Sequence, residues 1–364
     1  MNVLHFLTTG RSGGIEVLVK DFSLLSKQNN VYAFFWDGGW ITEEMKNKGC
    51  NVIELHANKK DFVKPIKELD RIIKEQKIDV IIAHHAAPML WICMNILKKK
   101  NKGLKTVAYA HANLKDMYRE NEKKGLFIRK ASFRWTYKSV DAVIAISNSV
   151  FKSFQEYAYK NLEKIHIIYN GVNVEKFKRN SYEVSEQARI VYAGRLVEEK
   201  GVHVLLEALS RLPVELDYVC DIAGEGPERP RLERLCKEYG ISDKVNFHGV
   251  REDIPEFLKC EDIFVHAPIW EEGFGIALAE GMAAGLMCVA FKKGAIPEII
   301  DNNENGYIVE PATVEALAQK LEHAIKSVST DEGKQIRMNA SIKAEKFSIT
   351  NYVNAIDELC EKIK

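Results

Sequence analysis

Two glutamates, Glu272 and Glu280, flank the turn Gly273-Phe274-Gly275 in EEGFGIALAEGMAAG, residues 271–285. The small and apolar residues from Ile276 onward predict a helix, and glycines at its start bare the backbone N–H groups that suit an anion. Glu280, about one turn into that helix, cannot serve the anion, because like charges repel. A carboxylate beside a nucleotide more sensibly accepts both hydroxyls of a ribose. Glu272, on the loop, then reaches the part of the ligand beyond the phosphates, where the hydroxyls of a sugar would suit it. The plain alternative is a helix with ordinary surface glutamates, and the flanking glycines weigh against it.

Other candidates stand at the ends of apolar runs. In VYAGRLVEEKG a strand ends at Gly194 and is followed by Arg195 and then Lys200. An arginine fork and a lysine point charge there could clamp a pyrophosphate. The competing possibility is a solvated loop whose cations pair with Glu198 and Glu199. CDIAGEGPERP ends a second strand in a Gly-x-Gly-Pro turn, and VNFHGVRED offers loop backbone near Val250 to a base. TTGRSGGIE carries Gly10, Gly13 and Gly14, but not at the G-x-G-x-x-G spacing, so the nicotinamide-dinucleotide fingerprint is absent. A glycine turn that admits a phosphate or sugar and a simple chain reversal compete equally for that loop. His84 and His85 end DVIIAHH, and His111 ends KTVAYAH, where a strand's carboxyl end should face a ligand. His5, His166 and His248 are expected to be structural.

The elements that must position these residues alternate along the chain. Apolar runs at 3–9, 31–36, 51–55, 79–84, 105–111, 142–147 and 164–170 predict buried strands with helical periodicity between most of them. The scheme repeats at 189–194, 216–224, 245–249, 262–268, 287–291 and 306–310. Strands separated by helices require right-handed crossovers and give parallel, doubly wound sheets. The polar stretch 173–188 is expected as a linker between a first Rossmann-like domain, 1–172, and a second, 189–345. Residues 346–364 form a last helix that packs back towards the first. Ligands of such sheets lie at the carboxyl ends of the strands, and a cleft between two of them suits a two-substrate reaction.

Composition excludes several classes. The 364 residues are 46% hydrophobic and 28% charged, as in soluble globular proteins, and a net charge of +1 gives no bias towards nucleic acid. Seven scattered cysteines without a CxxC pair suggest reduced thiols and no zinc site, and no Asp-x-Asp ends a strand. Without a signal sequence or an apolar stretch near 20 residues, the protein is expected in the cytoplasm. KKGLFIRKASFRWTYK, 123–138, holds six basic residues and no acidic ones, interleaved with Phe127, Ile128, Phe133 and Trp135. That pattern suits peripheral contact with an anionic membrane, against the alternative of an ordinary helix with a solvated basic face.

Taken together, GRLVEEKG, AGEGP, the glycine-rich first loop, the terminal helix and above all the E-x7-E of EEGFGIALAE resemble the retaining GT-B glycosyltransferases of family 4, across essentially the whole chain. The resemblance implies two doubly wound α/β domains facing one another across a cleft. It implies Arg195 and Lys200 on the diphosphate of a nucleotide sugar, Glu280 on the ribose, and Glu272 with the backbone of Gly273, Phe274, Gly275 and Ile276 on the donor sugar and phosphate. The loop at Val250 would contact the base, Gly14 would approach the donor from the first domain, and His111 would meet the reacting sugar. Catalysis would rest on His111 and Glu272. The family often has Pro-Ser where this chain has Ala267-Pro268 after His266. The reaction implied is retaining, metal-independent transfer from a UDP- or GDP-sugar, the only co-substrate, to a glycan or lipid-linked acceptor in cell-surface polysaccharide or glycolipid synthesis. An epimerase or hydrolase of nucleotide sugars on the same fold, and a non-catalytic binding protein, are the alternatives.

Overall fold

The computed structural model describes residues 1–364 apart from 12, 58–62, 86, 118–125, 158 and 185–186, and apart from the side chains at 116, 117, 126 and 129. The chain divides into two compact units, Met1–Gly171 with Ile349–Lys364, and Val172–Ser348.

The first unit is built on β1 (Asn2–Leu7), β2 (Asn29–Phe34), β3 (Asn51–Glu54), β4 (Val80–Ala83), β5 (Lys105–Ala110), β6 (Ala142–Ala145) and β7 (Ile165–Ile167). They form a parallel sheet in the order β3-β2-β1-β4-β5-β6-β7. The second unit holds β8 (Ala188–Ala193), β9 (Tyr218–Ala223), β10 (Val245–Gly249), β11 (Ile263–His266), β12 (Met287–Phe291) and β13 (Tyr307–Val309). Their order is β10-β9-β8-β11-β12-β13, again all parallel. Each apolar run predicted from sequence forms one of these strands, with ends shifted by a few residues.

Burial explains why the runs are continuous rather than alternating. Both faces of a parallel sheet are covered by crossover helices, so β4 and β12 are buried at every residue. The helices supply the other layer. Helix Val63–Glu75 buries Ile66, Leu69, Ile72 and Ile73 at helical spacing, and helix Val314–Ser327 starts where the Thr313 hydroxyl accepts the Ala316 N–H at 3.3 Å.

Each sheet winds outward in both directions from its first strand. The order therefore reverses between β1 and β4, and again between β8 and β11, and the loops that leave those neighbouring strands diverge.

The stretch expected as a linker is part of the second unit. Residues Val174–Phe177 form a short helix with both end residues buried. Beyond it, Arg179 donates to the main-chain carbonyls of Lys259 at 2.5 Å and Glu261 at 2.9 Å. The last helix, Ile349–Ile363, belongs to the first unit, where the hydroxyls of Tyr352 and Tyr109 are 2.6 Å apart and buried.

Candidate active site

At the reversal point of the second sheet, the loop after β8 carries Arg195 and Lys200, and the loop after β11 carries Glu272. Backbone contacts lock the two loops together. Ile269 N–H donates to the Glu199 carbonyl at 3.1 Å. Gly201 has φ +70, and a Cβ there would lie 1.9 Å from the Ala267 carbonyl oxygen, so only glycine permits this approach. A third loop, after β12, fastens the other side. Ala295 N–H donates to the Glu272 carbonyl at 2.9 Å, and Glu271 Oε2 accepts the Gly294 N–H at 2.6 Å. Gly294 has φ +53 and would place a Cβ 2.1 Å from that same carbonyl oxygen of Glu272.

The Glu272 side chain is thereby delivered to two partners. Its Oε2 accepts from Lys200 Nζ at 2.7 Å and lies 3.0 Å from His266 Nε2, at the end of β11. With Nε2 donating to the carboxylate, His266 Nδ1 is buried and faces no partner among the described residues. Burial alone would raise the pKa of Glu272, but the Lys200 charge and the His266 hydrogen bond outweigh it and hold the carboxyl well below the usual range. Glu272 is an anion at any physiological pH. Lys200 spends one of its N–H groups on Glu272 and keeps others for a second anion.

Past Glu272 the chain turns into helix Ile276–Ala283 through Gly275, left-handed at φ +94, with no side chain capping the first N–H groups. Phe274 is the anchor of this turn, 1% exposed and packed edge-on against Phe347 at 5.4 Å. The helix lies close on the sheet because Gly281 gives way to Phe264, whose ring would be 2.6 Å from a Cβ. Glu280 is on this helix and partly exposed.

The predicted residues thus differ in how they are placed. Lys200, Glu272 and the turn Gly273–Ile276 meet directly. Arg195 shares the Lys200 loop, is exposed, and has no side-chain partner among the described residues, so neither Glu198 nor Glu199 neutralises it. Val250 is 64% exposed after β10, at the edge of the sheet, where the neighbouring loop is tied in by Gly224 N–H to the Gly249 carbonyl at 2.7 Å.

Gly14 and His111 belong to the first unit. Gly14 opens helix Gly14–Ser23 after β1, and His111 follows β5. The His111 ring stacks on Tyr109 at 4.9 Å and 9°, and its Nε2 is buried without a partner among the described residues. Burial, with His85 nearby, pushes its pKa down to about 3, so the ring is neutral.

His5 is structural as expected. It lies between His84 Nε2 at 2.8 Å and Asn30 Oδ1 at 3.0 Å. His266 and Gly294 were not singled out by sequence. His266 ends a strand just as His111 does, and that position is the signal that could have found it.

The same α/β architecture is also found in solved structures. The Anabaena protein HepE, in complex with UDP and glucose, superposes with a TM-score of 0.84 over 100% of both chains at 20% identity. The fold defines the GT-B class. Within it, the chain belongs to glycosyltransferase family 4. The Glycosyltransferase Family 4 model matches residues 12–176 and the Glycosyl transferases group 1 model residues 173–345, so the two meet where the two structural units do. Relatives include an N-acetyl-alpha-D-glucosaminyl L-malate synthase of Bacillus anthracis, 25% identical over 71% of this chain and 68% of its own. A GDP-mannose-dependent alpha-(1-6)-phosphatidylinositol monomannoside mannosyltransferase of Mycobacterium tuberculosis is 23% identical over 91% of this chain and 89% of its own.

Proposed function

We propose that this glycosyltransferase moves a sugar, with retention, from a UDP- or GDP-sugar to a hydroxyl of a glycan or lipid-linked acceptor in polysaccharide or glycolipid synthesis. The observation that carries the reading is the Lys200–Glu272 contact of 2.7 Å beside the uncapped helix start at Gly275. It joins a cation and an anion-ready helix end, which suit a diphosphate, to an ionised carboxylate, which suits sugar hydroxyls.

In this reading Arg195, Lys200 and the backbone from Gly273 to Ile276 hold the diphosphate, and Glu280 accepts the ribose hydroxyls. Glu272 holds the donor sugar, the Val250 loop meets the base, and Gly14 and His111 act from the first unit on the donor and the reacting sugar. The bond from the anomeric carbon to the diphosphate oxygen breaks, and its electron pair stays on that oxygen. The cations and the helix start stabilise the charge that develops there. The acceptor oxygen bonds to the same face of the anomeric carbon, and its proton passes to the leaving phosphate. No metal or further cofactor is called for, because the two cations supply the neutralisation.

A nucleotide-sugar donor is supported by the mycobacterial relative, named as GDP-mannose-dependent, and by the UDP bound to HepE. The relatives diverge in acceptor, one being named for L-malate and the other for a phosphatidylinositol monomannoside. No helix among the described residues is long and apolar enough to cross a membrane. Helix Leu126–Ser139 exposes Phe127 by 83% and Ile128 by 61% while Phe133 is buried. Lys123 and Lys124 and the Arg129 side chain lie outside what is described. These exposed apolar residues, with Lys130, Arg134 and Lys138 on the same helix, support action in the cytoplasm at the inner face of an anionic membrane. Release of nucleoside diphosphate from a panel of UDP- and GDP-sugars, with and without acceptor, tests the reading. Acceptor-dependent release with a glycosylated product supports it, and acceptor-independent epimerisation or hydrolysis contradicts it.

A further inference from the structure

The first unit has its own reversal point, between β1 and β4, and a hydrogen-bonded Glu–His pair marks it. Glu16, in the first turn of helix Gly14–Ser23, places Oε1 3.1 Å from His85 Nε2, with the side chains only 8% and 16% exposed. The other ring nitrogen, His85 Nδ1, accepts the Thr8 N–H at 3.4 Å. The main chain therefore fixes the tautomer, and the proton on Nε2 goes to Glu16.

Both nitrogens of His85 are thus occupied, and the group left with capacity is Glu16 Oε2. That oxygen lies under the loop, and a Cβ on Gly13 would stand 2.2 Å from it. Glycine at 13 leaves the space that Oε2 occupies. Among the described residues His85 is the side chain that pairs with Glu16, through the Nε2–H donated to Oε1. Lys20, one turn along the same helix, is committed to Glu44 at 3.0 Å, and the neighbouring His111 is neutral. A second carboxylate brought here would meet the Glu16 anion, whereas a hydroxyl would find a strong acceptor.

We propose that Glu16, held by His85, is the acceptor-selecting residue of the first unit: Oε2 receives a hydroxyl of a neutral polyhydroxylated acceptor, and the carboxylate's charge rejects acceptors that carry a carboxylate of their own. The inference rests on the glycosyltransfer reading and narrows its acceptor to the glycan class. Glu16 is a specificity residue and takes no proton from the reaction.

The test uses the full chain and the donor that binds it in a calorimetric screen. Neutral methyl glycosides of glucose, mannose and galactose are compared with L-malate as acceptors. The wild-type chain should use a neutral glycoside and leave L-malate untouched. Glu16→Gln should raise the KM for that glycoside by about tenfold, the effect of losing one charge-assisted hydrogen bond. Donor affinity and Tm should not change. Gly13→Ala, which retains every charge but displaces Oε2, should raise the same KM, and it carries the test if Glu16→Gln folds poorly. Unchanged acceptor KM in both variants, or a wild-type preference for L-malate, overturns the proposal. A wild-type chain that binds donor but transfers its sugar to none of these acceptors counts against both the acceptor assignment and the reading beneath it, whereas transfer with the wrong acceptor sinks only the former.

Discussion

Lys200 Nζ and Glu272 Oε2 are 2.7 Å apart, joined across 72 positions of sequence by two loops that leave adjacent parallel strands. Neither residue is fully buried, yet each is the other's ionic partner, and His266 is the second group on the carboxylate.

Because the folded pKa of Glu272 is depressed, its contribution to stability is present above the ordinary value of 4.5 and is lost as pH falls towards the folded value. Lys200→Met removes the largest counterweight to burial. It should cost roughly 1–3 kcal/mol at pH 7, less than a fully buried pair would because Lys200 is partly solvated. Thermal melts of both proteins from pH 7 to pH 3 should show the gap closing below about pH 4.5. A gap that stays constant with pH would show that the ion pair is not its source.

Most of the fold was legible because parallel strands covered on both faces announce themselves as unbroken apolar runs, as MCVAF does at β12. The segment 173–188 was not. Its apolar residues are few, and what holds Arg179 is a pair of carbonyls some 80 residues away, which no local pattern signals. The site was half legible. Glycine turns and charged residues at strand ends pointed to Arg195, Lys200 and Glu272, but sequence weighed Glu198 and Glu199 as partners of Lys200, whereas the fold supplies Glu272. His266 reaches Glu272 from six positions away, at the end of the strand that carries the loop, whereas Gly294 acts through backbone proximity between two loops, a relationship that exists only once the sheet order is set.

Gly201 and Gly240 both have positive φ, +70 and +67, but a Cβ at Gly240 meets nothing within 4 Å. Gly240→Ala should therefore cost about 1–2 kcal/mol of backbone strain. Gly201→Ala adds a collision with the Ala267 carbonyl and should cost about 2 kcal/mol more. Urea midpoints measure the difference. Equal costs would mean that the two loops are not in the close contact described.

On helix Leu126–Ser139, replacing Phe127 and Ile128 together by serine should weaken flotation with phosphatidylserine-containing vesicles by about tenfold or more. Binding of the wild-type chain should fall as salt rises, since Lys130, Arg134 and Lys138 share the helix. Flotation unaffected by both the substitution and salt would remove the membrane from the account.

The central claim is that the loops after β8 and β11 hold the donor's diphosphate. Calorimetric titration of UDP- and GDP-sugars into the wild-type chain and Arg195→Ala tests it most directly, because among the described residues the Arg195 side chain has no ionic partner whose loss would disturb stability. The account predicts tight binding of one donor by the wild type, a loss of affinity of about tenfold or more in Arg195→Ala, and the same Tm for both proteins. Equal donor affinity in the two would contradict it.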